Sequence, residues 1–157
     1  MYPQSHFLFS FFIGTVFVKL GFFDYKIALF IAIIGMLIDI DHYFVFLSKK
    51  KYRNHSPKHA FNLAVKGIYR GRSFIHKRFG FILITAIILS LFYTNKTLFW
   101  IFGLGYYSHI FLDYMHLNIL KIRGNIVINE FGFVEKIGKF EVMLDIFLAI
   151  AIFLLIW

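Results

Sequence analysis

Cysteine is absent from the 157 residues, which excludes a disulfide framework, thiolate catalysis and any Cys-ligated zinc or iron–sulfur site. Charge is scarce as well: 16% of residues are charged and 60% hydrophobic, where an ordinary soluble domain holds ~25% and ~45–50%. Acids are the scarcer sign, 8 against 17 Lys and Arg, which leaves a net charge of +9. Three motifs that would direct the chemistry elsewhere are missing. Without His-Glu-x-x-His there is no intramembrane metalloprotease signature, without Gly-x-Ser-x-Gly no serine nucleophile elbow, and without a Gly-rich loop no phosphate cradle. No internal repeat or low-complexity tract breaks the chain. No Lys or Arg precedes Lys19 and no small-residue cleavage site follows the first apolar run, so that run is not read as a signal peptide.

What is present is a series of apolar runs, at residues 7–18, 27–47, 79–93, 98–120 and 142–157, with a mean hydropathy of +0.74. Composition and run length predict an all-α, polytopic membrane helix bundle, one membrane-embedded domain over residues 1–157 with about five transmembrane helices. The segment 48–78 carries Lys49, Lys50, Lys51, Arg53, Lys58, Lys66, Arg70, Arg72, Lys77 and Arg78 with no acid, and Lys121, Arg123, Lys136 and Lys139 follow the fourth run. The opposite side would hold only Lys19, Lys26 and Lys96, so the expected topology is a multi-pass protein of the cytoplasmic membrane, N-terminus inside and C-terminus outside. Within the basic loop, Ser56-Pro57 opens a stretch with Ala60, Leu63, Ala64 and Ile68 at helical spacing, read as a short interfacial helix. Residues 125–133 alternate apolar and polar positions, as a small hairpin or an irregular cap would.

Ionisable groups inside such runs cost ~2.5–3.5 kcal/mol each even on the lenient insertion scale, and so need a partner or a purpose. Here they form a set. The second run contains Gly35-Met36-Leu37-Ile38-Asp39-Ile40-Asp41-His42, and the fourth contains Ser108-His109-Ile110-Phe111-Leu112-Asp113-Tyr114-Met115-His116; His6 opens the first run and His76 precedes the third. At ~100° per residue His109, Asp113 and His116 fall on one helix face, and Asp39 and His42 share another. Ser10 and Gly14 lie behind His6, Gly35 behind Asp39, and Gly105 behind His109, small residues that let helices approach closely. Because successive runs alternate in direction, all these His and Asp residues fall at one end of the bundle. Imidazole plus carboxylate suits zinc, with manganese the alternative. The expected ligands are His6, Asp39, His76, His109 and Asp113, with Asp41, His42 and His116 as further ligands or their hydrogen-bond partners. Asp145 belongs to no motif, and His55 and His59 read as solvated loop histidines.

The ordered set His6, Gly35-x3-Asp39-Ile-Asp41-His42, Arg72-Ser73-Phe74-Ile75-His76 and Ser108-His109-x3-Asp113 resembles the YdjM family of membrane-bound, metal-dependent hydrolases, over Met1 to about Glu141. More remotely that family is similar to the helical zinc phospholipase C and P1 nuclease group. Ile38 stands where the family usually has Pro, and its His-Arg-Gly-x-Thr-His-Ser element is here Arg72-Ser-Phe-Ile-His76-Lys77. The resemblance implies a divalent metal and hydrolysis by metal-activated water. An uncoordinated carboxylate, Asp41 or else Asp39, is then the expected general base, and Arg72 the expected partner of a substrate phosphate. Membrane lipids and a lipid or phosphoester substrate are the expected partners, at a cytoplasm-facing site, with nucleic acid disfavoured. The alternatives are a metal-binding or transport membrane protein, and a structural or regulatory one without catalysis. Oligomeric state cannot be read from the sequence.

Overall fold

In the computed structural model the described residues are 3–40, 74–115, 125–130 and 133–157. They form five helices, α1 (Pro3–Lys19), α2 (Tyr25–Leu37), α3 (Arg78–Thr94), α4 (Lys96–Tyr114) and α5 (Lys139–Ile156), with a two-stranded antiparallel hairpin, β1 (Asn125–Glu130) and β2 (Phe133–Gly138), between α4 and α5. The hairpin runs in register from Asn125 opposite Gly138 to Glu130 opposite Phe133, so of the two sequence readings of this segment the hairpin is the one found.

The helix boundaries follow local chemistry. Pro3 opens α1, where its missing N–H would have no helical acceptor anyway. Gly21, at φ 80°, turns the chain between α1 and α2, a conformation that costs glycine little. Asp24 Oδ1 caps α2 by accepting the Ile27 N–H at 3.0 Å. Asn95 alone separates α3 from α4: its N–H closes α3 on Leu91 O, while its side chain accepts the Leu98 N–H at the start of α4.

Helix α1 packs on α2, α4 and α5; α2 packs on α4, and α3 on α4. Gly14 permits the α1–α2 approach, since a Cβ there would sit 2.9 Å from both Cα and Cβ of Ala28. At one end Phe17, Phe22 and Phe23 gather around Trp100, their ring centroids 5.6–6.4 Å from the indole. Ala28, Ile31 and Ala32 of α2 and Leu148 and Ile152 of α5 are buried in the core. Much of the apolar surplus nevertheless faces outward, including Phe79, Ile82 and Leu89 on α3 and Met143, Phe147 and Leu154 on α5.

The transmembrane expectation is corrected here. Among the described residues no helix is long and apolar enough to cross a membrane. α1, α2 and α3 have 17, 13 and 17 residues, short of the ~20 that a ~30 Å hydrocarbon core requires. α4 has 19 residues, but Lys96, His109, Asp113 and three tyrosines lower its hydropathy, and the 18 residues of α5 include Lys139, Glu141 and Asp145. The second apolar run continues to residue 47, whereas α2 ends at Leu37. The described helices thus overlap the apolar runs, and none of them is long and apolar enough to be a span. With them fall the polytopic membrane bundle, the membrane-bound form of the hydrolase, the inside/outside topology, the membrane location and the lipid partners. The expected interfacial helix lies outside the described residues.

Candidate metal centre

Four chain segments bring five metal-ligating side chains to one point. His6 comes from the first turn of α1 and Asp39 from the turn just beyond α2; His76 lies in the turn before α3, and His109 and Asp113 lie one helical turn apart on α4. His109 Nε2 is 3.1 Å from His76 Nε2, 3.5 Å from Asp39 Oδ1 and 3.9 Å from Asp113 Oδ2. His6 Nε2 is 3.6 Å from Asp39 Oδ2 and 3.4 Å from Asp113 Oδ1, and His76 Nε2 is 3.6 Å from Asp113 Oδ2. Donors bound to one ion at ~2.0–2.2 Å, with ~90–120° between bonds, lie roughly 2.8–3.8 Å apart. These distances are the edges of a coordination polyhedron more nearly than they are hydrogen bonds. Two triads, His6–His109–Asp113 and Asp39–His76–His109, each bring their donor atoms within 4.8 Å of one another.

The imidazoles are oriented from behind. His109 Nδ1 lies 2.8 Å from the Gly35 carbonyl. A carbonyl only accepts, so Nδ1 carries the proton and the Nε2 lone pair faces the cluster, the tautomer a metal ligand needs. Burial, foremost, and the neighbouring His6 and His76 push the His109 pKa down to about 3, against the opposite pull of Asp113 and the Gly35 carbonyl. Its ring is therefore neutral at ordinary pH and loses no proton when it binds a cation. Burial is the largest influence on Asp113 and would raise it, but the His6 contact and the further positive charge nearby together outweigh burial and hold the carboxyl below its usual range. His6 is fully buried with no hydrogen-bond partner at either ring nitrogen. An imidazole in that condition is costly unless something binds it, which a cation would do.

The turn holding His76 is itself fixed. Lys77 N–H donates to Phe74 O, and the Tyr106 hydroxyl donates to Ile75 O at 3.1 Å. The turn lies directly on Gly80, where a Cβ would fall on the Phe74 carbonyl. Beside it a cavity of about 380 Å³ opens between Ile75, His76, Lys77, Arg78, Phe81 and Ile110. Neither Tyr106 nor Gly80 was singled out by the sequence as part of the site, since each acts on the backbone around His76 rather than as a donor in the cluster.

Of the other sequence-derived site residues, Asp41, His42, Arg72 and His116 lie outside the described residues, as do His55 and His59. Asp145, which had no motif, has a place. The Ser5 hydroxyl lies 2.9 Å from Glu141 Oε1 and 3.1 Å from Asp145 Oδ2, and its single proton can serve only one of them at a time. This ties α5 to the turn of α1 that carries His6. The contact spans 136 and 140 residues of chain, so no sequence spacing could announce it. Burial chiefly, with Glu141 nearby, raises the Asp145 pKa. A carboxyl raised on folding contributes stability below its ordinary value of 3.8, and that contribution is lost as pH climbs through the raised one. Asp145→Asn, which keeps an oxygen for Ser5, should therefore be more stable than the parent chain at pH 7 and equal to it near pH 3. Denaturant melts at the two pH values check this, and an equal or lower midpoint at pH 7 would refute it.

The family described as YdjM inner membrane protein matches residues 1–119, a stretch that contains all five donors of the cluster. No curated protein and no solved structure matches the chain.

Proposed function

The chain belongs to the YdjM family, and from that membership together with the buried His/Asp cluster we propose that it is a metal-dependent hydrolase. The observation that carries the reading is the convergence of five donors from four segments, with neighbouring donor atoms 3.1–3.9 Å apart, among them a buried His6 whose ring nitrogens make no hydrogen bond. His6, Asp39, His76, His109 and Asp113 hold the cation; three imidazoles with two carboxylates suit zinc, with manganese the alternative. A divalent ion so held supplies a water acidified toward a pKa of ~7 and an electrophilic contact for the bond to be cut.

The chain's own groups supply the rest. Gly35 O fixes His109, and the Phe74–Lys77 turn presents His76 at the wall of the cavity. Lys77 and Arg78 line the same cavity, and their charges favour a substrate or leaving group that is negative. Asp41, two residues beyond Asp39, takes the proton from the attacking water as general base, and Arg72 pairs with the substrate anion; both roles rest on the sequence. The reading contains no protein nucleophile and needs none.

Protein purified without chelator should carry a divalent ion and turn over at least one member of a p-nitrophenyl panel of phosphomonoester, phosphodiester and carboxylic ester. Treatment with 1,10-phenanthroline should abolish that turnover, and zinc or manganese should restore it. Metal retained with no turnover on the panel would refute the hydrolase, and turnover indifferent to the chelator would refute the metal dependence.

A further inference from the structure

The two carboxylates of the cluster each present their two oxygens to different histidines. Asp39 Oδ2 faces His6 at 3.6 Å, whereas its Oδ1 faces His109 at 3.5 Å. Asp113 does the same: Oδ1 lies 3.4 Å from His6, and Oδ2 lies 3.6 Å from His76 and 3.9 Å from His109. Sorted by contact, the donors fall into two sets, His6 with Asp39 Oδ2 and Asp113 Oδ1, and His76 and His109 with Asp39 Oδ1 and Asp113 Oδ2. Neither carboxylate is confined to one set. Both straddle the line between them.

The rings divide in the same way. His6 and His109 are stacked face to face, with centroids 3.8 Å apart and planes inclined by 23°. An imidazole lone pair lies in the plane of its ring, so two rings stacked in this way direct their lone pairs within separate, nearly parallel planes. They address two points about a stacking distance apart, and that distance falls in the ~3.5–4 Å range found between the ions of two-metal hydrolytic sites. His76 and His109 behave differently. Their planes are inclined by 59° and their Nε2 atoms are 3.1 Å apart. With bonds of ~2.0–2.1 Å that pair subtends roughly 100° at a common ion, an ordinary angle between two ligands of one cation. The other nitrogen of His109 is engaged by Gly35 O, so this ring has a single lone pair to give and cannot itself join two ions. Only the carboxylates can.

Resting on the metal-centre reading above, we propose that the site holds two divalent cations bridged by Asp39 and Asp113. One is ligated by His6 and the other by His76 and His109. The His6 ion then has three protein donors, one from each bridge and one imidazole, which leaves positions for water or substrate. The other ion has four, and lies on the side of the cluster where His76 reaches the cavity wall. The pairing also accounts for His6, whose full burial without a hydrogen-bond partner is needless if His76, His109 and the two carboxylates complete one tetrahedral site on their own.

The test counts ions and asks whether they are coupled. The intact chain, equilibrated with excess zinc and freed of unbound metal by gel filtration, should retain two ions per chain by elemental mass spectrometry. His6→Ala should retain one. The intact chain loaded with manganese should give the broadened, exchange-coupled electron paramagnetic resonance spectrum of a spin pair, and His6→Ala the six-line spectrum of an isolated ion. One ion per intact chain with an uncoupled spectrum overturns the pair while leaving a single metal centre standing; no retained ion overturns the metal centre itself. The intact chain alone yields these outcomes, so a His6→Ala protein that failed to fold would not shelter the proposal.

Discussion

His109→Ala should sharply weaken metal binding at the cluster. Both donor triads include this ring, and no other residue is common to them. Its Nε2 lies within 3.1–3.9 Å of His76, Asp39 and Asp113, and its Nδ1–H is anchored on Gly35 O at 2.8 Å. Losing an outer partner that merely orients a ligand lowers metal affinity by ~10–100-fold, so losing the ligand itself should exceed the upper figure. A zinc-chelator competition titration should show affinity reduced by more than about 100-fold, with metal-dependent turnover reduced in parallel. The loss of stability in the metal-free state should be small, about 1 kcal/mol for the hydrogen bond to Gly35 O together with whatever cavity the missing ring leaves. Melting of the metal-free proteins separates the two effects, because a variant that binds metal normally would remove His109 from the centre however stable it proved.

The cluster was legible in the sequence for reasons of geometry, and the membrane topology was misread for a reason equally physical. His109 and Asp113 are four residues apart, so any helix over that stretch puts them on one face. Antiparallel succession then brings His6, Asp39, His76 and His109 to the same end, whether the helices are spans or the members of a bundle. Hydropathy cannot make that last distinction from a run alone. The run at 27–47 reads as one apolar stretch despite Asp39, Asp41 and His42 within it, but α2 stops at Leu37 and the chain turns through Ile38 to deliver Asp39. The run at 98–120 is apolar by count, yet the polar residues that make the site are the ones that spoil α4 as a span. Composition was misleading for a related reason, since a large share of the apolar side chains are exposed on α3 and α5 rather than buried in the core. The contacts that support the site left no trace in the sequence pattern. Ser5 with Glu141 and Asp145, and the Tyr106 hydroxyl with the Ile75 carbonyl, meet across 31 to 140 residues. Spacing rules reach one or two helical turns, and such pairs lie beyond them.

Gly35→Ala should damage both stability and the metal site, and Gly103→Ala, on a neighbouring helix, should be harmless. At Gly35 the helices α1, α2 and α4 meet. An added Cβ would fall on the Ser10 hydroxyl, lie 2.8 Å from Ser10 Cβ and lie 3.4 Å from the Gly105 carbonyl. Rotating the Ser10 hydroxyl away would break its 2.7 Å hydrogen bond to Ser108 and would still leave the Cβ–Cβ contact, which a rotation about χ1 cannot relieve. Nor can α4 give way, because a Cβ-free Gly105 already lies against Ile34, whose methyl and Cβ would be 2.8 and 2.9 Å from a side chain there. The helices must separate. Overpacking of this kind costs about 1–3 kcal/mol, and the upper figure applies where two backbones and a buried serine pair resist together. The displacement also moves the Gly35 carbonyl away from His109 Nδ1, and with it Asp39 one turn further along the chain, so metal affinity should fall together with stability. At Gly103 the nearest atom to an added Cβ is Ile88 Cγ2 at 3.5 Å, an ordinary contact. There the gain in helix propensity of Ala over Gly, up to ~1 kcal/mol, should appear as added stability with metal binding intact. Denaturant unfolding and metal titration of the two variants side by side make the comparison. If Gly35→Ala matched the parent in both measurements, the close three-helix contact behind His109 would not exist as described.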